Sequence, residues 1–118
     1  MVASTWKELT SSLNDDDRAL FSAYRQMCSS LPGTKERVHR TEIQFVVERV
    51  FSSGYMKSHH LEIVIDLLRE ASTPHLRAAF PTTRKIIAHR LTIDSIEELE
   101  TARDLIAEAH RDVGPGTR

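Results

Sequence analysis

Leu61, Ile63, Ile65 and Leu67 occupy every second position of one run, with Glu62, Val64 and Asp66 between them. A period of two puts the four apolar side chains on one side of an extended chain, so the run predicts a strand with one oily face. Two earlier runs read the same way. Ile43, Phe45 and Val47 share a side, and Phe51 and Tyr55 mark a second strand. Strands this close in sequence pair as an antiparallel meander, because parallel neighbours need a crossover of roughly a dozen residues. The turns fall near Glu48–Arg49 and Lys57–His59. Periodicity alone also allows a helix over Glu42–Phe51, on Ile43, Val46, Val47 and Val50. The density of β-branched and aromatic residues decides for strand. Ser52, Ser53 and Gly54 are weak strand formers and predict a bulge or bend in the middle strand.

A sheet with one apolar face needs a cover, and both flanks supply helices. Asn14 or Asp15 caps the first, whose opening turn holds Asp16 and Asp17 against the positive end of the helix dipole. Leu20, Phe21, Tyr24, Met27, Cys28 and Leu31 form its apolar stripe, and Pro32 and Gly33 stop it. Upstream, Trp6, Leu9 and Leu13 are spaced as one helical turn that packs back on the domain. Lys85–Ile93 is a further strand, with Ile87, His89, Leu91 and Ile93 on one side. Ser95 and Glu98 have the form of a capping box before a last helix striped by Ile96, Leu99, Ile106, Ala109 and Val113 and ended by Gly114 and Pro115. Arg69–Thr83 is broken by Pro74 and Pro81, with Leu76, Ala78 and Phe80 hinting at a short extended piece. The expected fold is α+β: an antiparallel sheet of about four or five strands packed against N-terminal and C-terminal helices. It is expected as one domain over 1–118, with 1–13 an N-terminal segment and 114–118 a frayed tail.

The length of 118 residues suffices for one hydrophobic core without a staple. No apolar run approaches a membrane span, and the N-terminus has no export pattern, so a cytoplasmic location and no membrane partner are expected. The single cysteine, Cys28, reads as a small buried hydrophobe. The net charge of −1 hides an asymmetry. Basic residues outnumber acidic ones from Lys35 to Arg90, whereas the last helix is acidic.

Several local patterns resemble the small bacterial domains grouped as domain of unknown function 5655. They are the basic-Thr-x-Ile-x-Phe run at Arg40–Phe45, the aromatic strand Phe51–Tyr55, the histidine before alternating residues at His89–Ile93, and the helix Ser95–Ala109. The likeness spans roughly Asn14 to Val113. Where that family has an Ala-Tyr pair, this chain has Ala109 and His110, and Arg40 stands where lysine is commoner. The layout is also similar to MmcQ/YjbR-like double-wing domains. That likeness implies a sheet against helices and a nucleic-acid role; no established activity comes with the family.

No nucleophile elbow, phosphate loop or metal-ligand spacing is present in the sequence, so no catalytic residue, metal or cofactor is expected. The leading expectation is a small non-catalytic binding domain whose partner is a protein or a second copy of the chain. Nucleic acid is the alternative, held by Arg40, Arg49, Lys57, Arg84, Lys85 and Arg90. A second alternative is a small-ligand pocket or enzyme around His89, with Arg40, Tyr55 and Arg90.

Overall fold

The computed structural model describes residues 4–117. The chain begins with α1 (Trp6–Thr10) and α2 (Asp15–Ser29). Six strands follow: β1 (Lys35–Val38), β2 (Ile43–Val46), β3 (Val50–Lys57), β4 (His60–Leu67), β5 (Leu76–Pro81) and β6 (Ile87–Ile93). It closes with α3 (Ile96–Glu100) and α4 (Arg103–Asp112). The strands form one antiparallel sheet in the order β1-β2-β3-β4-β6-β5. Among the described residues no helix is long and apolar enough to cross a membrane.

The alternation in β4 decides the layering. Leu61, Ile63, Ile65 and Leu67 are buried and lie opposite Ile93, Leu91, His89 and Ile87 of β6. α2 and α4 cover this face over β3 and β4, and α3 lies against β6. Asn14 caps α2 by accepting the Asp17 N–H at 2.8 Å. Tyr24 then crosses β3 at Gly54, where a Cβ would stand 2.7 Å from the Tyr24 ring and 3.1 Å from Ile63. The Ser52 hydroxyl donates to the Val64 carbonyl at 2.8 Å, so the Tyr24 hydroxyl donates to Ser52 Oγ at 2.6 Å. This chain satisfies both buried hydroxyls and keeps Ser52 out of nucleophile chemistry. Burial pushes the Tyr24 hydroxyl and the Cys28 thiol well above their ordinary values.

Four features of the strands and helices depart from the sequence reading. β1 is added at one edge; its Lys-Glu-Arg-Val sequence carries no apolar alternation because an edge strand buries little. β5 is a full strand at the other edge, protected by a bulge at Arg77 and by Pro81, which has no N–H to offer. The bend expected at Ser52–Gly54 falls one residue earlier: Phe45 pairs with Ser52 and Val46 with Val50, leaving Phe51 as the extra residue. Phe51 therefore turns to the helix side, 5.4 Å from the His110 ring, while Tyr55 stays on the opposite face. The last helix is two helices. Thr101 donates its hydroxyl to the Glu98 carbonyl at 2.6 Å, and the break at Thr101–Ala102 leaves Ile96 exposed while Leu99, Ala102, Ile106 and Ala109 are buried.

Residues 114–117, expected as a frayed tail, are tied to the sheet. The Gly114 carbonyl accepts the Glu48 and Arg49 N–H groups at 2.8 and 3.0 Å, and the Thr117 carbonyl accepts from Lys85 Nζ at 3.1 Å.

β4 and β5 both run antiparallel to β6, so they point the same way with β6 between them. Residues 68–75 must cross the sheet to connect them. The crossing is pinned at Ala71, whose N–H donates to His89 Nε2 at 2.9 Å on the helix-covered face.

Replacing Gly54 by alanine drives a methyl group into the Tyr24 ring and lowers stability by about 1–3 kcal/mol. Urea denaturation checks this; an unchanged midpoint would mean that Tyr24 does not pack on the strand as described.

Candidate functional site

With one face under helices, the other face of the sheet is the remaining broad surface. Side chains alternate, so the register assigns its residues. One row crosses all six strands: Arg37, Gln44, Ser53, Val64, Arg90 and Ala78. A second row, two residues toward the β3–β4 turn, holds Tyr55, Glu62 and Thr92. A third lies at the turn itself, where Lys57 pairs with His60 and Asp94 follows β6. The β4, β5 and β6 ends of these rows, with the β3–β4 turn, line an open groove of about 560 Å³ that holds Lys57, His60, Glu62, Arg77, Arg90 and Asp94 among others.

The turn that builds one end of the groove is strained and then braced. Ser58 and His59 have φ of 51° and 68°, the left-handed region that a two-residue type I′ turn requires and that Asn-Gly fills more easily. His59 Nδ1 meets Asp17 of α2 at 2.8 Å on one side of the hairpin. His60 Nδ1 donates to the Asp94 carboxylate on the other. Adjacent residues thus fasten the hairpin to both flanking elements. Each pair is exposed and contributes modestly.

The electrostatics of the groove are uneven. Glu62 accepts from the Thr92 hydroxyl at 3.1 Å, and Asp94 holds His60. Among the described residues, Lys57, Arg77 and Arg90 have no carboxylate within salt-bridge distance. On the helix side Arg18 of α2 donates to the Thr10 and Leu13 carbonyls, and the other arginines meet carboxylates. Arg25, Arg69, Arg103 and Arg111 each donate two hydrogen bonds to one carboxylate: Glu36, Glu108, Glu100 and Asp112 respectively.

The residues expected as a small-ligand set are not brought together. Arg90 lines the groove just described. Arg40 and Tyr55 border a separate one of about 350 Å³, beside Leu9 and Leu13. His89 is fully buried. Its Nε2 accepts from Ala71, so its ring proton sits on Nδ1, which donates to the Ile87 carbonyl at 3.1 Å. A pocket or catalytic base at His89 is thereby corrected to a structural anchor: neither ring nitrogen is free and no surface of the ring is open.

The nucleic-acid set divides between the two ends of the sheet. Arg40 and Lys57 lie toward the β3–β4 turn and Arg90 at mid-sheet. Arg49, Arg84 and Lys85 lie at the opposite end, about 23 Å away along β3. Arg49 packs against the tail and beside Asp66, whose carboxyl burial pushes up and Arg49 partly restores. Among the described residues no three His, Cys, Asp or Glu side chains converge as a metal site.

Sequence reasoning missed His60, Glu62, Arg77 and Asp94. Glu62 was legible as the outward partner in the β4 alternation. Arg77 was hidden by its bulge, and the His60–Asp94 pair spans a separation of 34 residues that no local pattern reports.

Two outcomes follow. Bonding to Asp94 raises the His60 value above the ordinary 6.5. The folded protein holds this proton more tightly than the unfolded chain, so the contribution is complete below pH 6.5 and is lost as pH rises through the raised value. Asp94→Asn returns the His60 midpoint toward 6.5, read by NMR of the ring protons; an unmoved midpoint would exclude Asp94 as the cause. His89→Ala leaves the buried Ala71 N–H without an acceptor beside a new cavity, and costs about 2–4 kcal/mol in denaturant unfolding.

No family model, no curated protein and no solved structure matches this chain.

Proposed function

We propose that this chain is a cytoplasmic, non-catalytic binding domain that engages an anionic partner through the uncovered face of its sheet. One observation carries the reading. Of the helix-side arginines, Arg25, Arg69, Arg103 and Arg111 are each neutralised by a carboxylate and Arg18 is held by the Thr10 and Leu13 carbonyls, whereas Arg37, Lys57, Arg77 and Arg90 beside or on the open face have no carboxylate among the described residues. Cations left without partners on one face create a positive field that attracts and orients an anionic surface.

Single-stranded nucleic acid is a narrower second reading, consistent with the resemblance to double-wing domains. Tyr55 favours it, since its ring lies on the same face as Arg90, in the row between Ser53 and Lys57. A flat ring among cations stacks a base while the cations meet phosphates. Against a long nucleic-acid track stands the removal of Arg49, Arg84 and Lys85 to the far end.

Titrating the labelled protein with a short single-stranded oligonucleotide, and separately with a glutamate-rich peptide, tests both readings by NMR. Shifts should gather on Arg37, Gln44, Ser53, Val64 and Arg90, weaken with salt, and fall at least about tenfold in affinity for Arg37→Glu combined with Arg90→Glu. Response to the oligonucleotide alone selects nucleic acid. Shifts confined to the helix side, or none with either probe, would overturn the proposal.

A further inference from the structure

We infer that the groove between the β3–β4 turn and β5 is a binding site for a dianionic oxyanion, a phosphate monoester, and that protonation of His60 strengthens it. The inference rests on the open face being the binding face and specifies one site on it.

The charge of the groove makes the case. Lys57, Arg77 and Arg90 are permanent cations, and Glu62 and Asp94 are the carboxylates among its lining residues, which leaves a net +1. Both carboxylates are engaged, Glu62 by the Thr92 hydroxyl and Asp94 by His60. Among the described residues the cations meet no carboxylate, so the donors facing the groove are those of Lys57, Arg77 and Arg90. A protonated His60 doubles the net charge to +2, matching a monoester dianion and exceeding what a monoanionic diester unit supplies.

The geometry suits one terminal group better than a long chain. The β3–β4 turn closes one end of the groove, and β5 with its bulged Arg77 borders one side. Arg90 lies on the floor, directly across from Ala78, whose methyl leaves space above it. Arginine at two positions offers the planar fork that phosphate oxygens accept.

The groups that set the His60 proton are all in view. Asp94 after β6 holds it, Glu62 on β4 adds a second negative charge, and Arg77 on β5 opposes both, with Lys57 opposite on β3. Asp94 is the contact that does most to raise the hold of His60 on its proton. His59 faces away toward Asp17 and takes no part.

Sulfate is the first probe, because its charge does not change across the physiological range, so any pH effect belongs to the protein. Titrated into the labelled chain, sulfate should shift Lys57, Arg77 and Arg90 resonances and bind several-fold more tightly at pH 6 than at pH 8. His60→Gln should retain binding while this ratio falls to about one. Arg77→Ala with Arg90→Ala should abolish the response, with circular dichroism confirming the fold. A nucleoside monophosphate should compete with sulfate, and an oligonucleotide lacking a terminal phosphate should not. The inference is overturned by sulfate shifts spread evenly over all exposed cations, by no shifts at all, or by a pH ratio unchanged in His60→Gln. Should those results coincide with loss of partner binding in the Arg37→Glu, Arg90→Glu variant, the open face would remain the binding surface and the monoester site alone would fall.

Discussion

The Ala71–His89 hydrogen bond holds the connection that makes this sheet's order achievable. β6 lies between two strands that precede it in the chain, so the segment from β4 to β5 must pass over it. A peptide crossing a buried face brings polar groups that need partners there. His89 supplies an acceptor at the crossing and donates its own N–H to the Ile87 carbonyl, so the imidazole spans crossover and strand without an unsatisfied nitrogen. The strand pairs β4–β6 and β6–β5 both presuppose this crossing, and the groove is built from them.

The two faces of the sheet are solved by different physics. The helix-covered face is apolar and close-packed, and where polarity enters it is satisfied in short chains such as Tyr24–Ser52–Val64. Around its margins ion pairs fix long side chains. Arg25 is the fullest case: it grips Glu36 of the edge strand β1 while its guanidinium lies 4.5 Å from the Trp6 ring, so α1, α2 and β1 meet at one residue. The open face has no such economy of charge. Arg37 lies across from Gln44 and Arg90 between Val64 and Ala78, and among the described residues neither meets a carboxylate.

How much of this was readable from the sequence depends on the range over which each signal acts. The strands β2, β3, β4 and β6, both hairpin turns, the α2 cap and the burial of Cys28 follow from local pattern, because burial of one face imposes period two and burial of one stripe imposes spacing of three and four. β1 and β5 were hidden or faint because edge strands bury too little to leave that imprint. The bulge was legible as weak strand residues, but its consequence for Phe51 was not, since that depends on which residue of β2 it opposes. The site was the least legible part. His89 stood out because it interrupts an apolar run, and that prominence belongs to its anchoring of a distant loop. Arg77 and Asp94 stood out in nothing, and only the pairing of strands brings them to Arg90 and His60.

The position of β6 also sets an order of events when the chain folds. β1 to β4 are joined by short turns and can pair as soon as they exist, whereas β5 and β6 pair with each other as a hairpin across residues 82–86 and join the sheet only when β6 docks on β4. The last stretch of sheet is therefore assembled as a unit by non-local contacts. Until then β6 of that hairpin presents an unpaired edge, which makes a second chain's exposed β4 its nearest competitor for misassembly at high concentration.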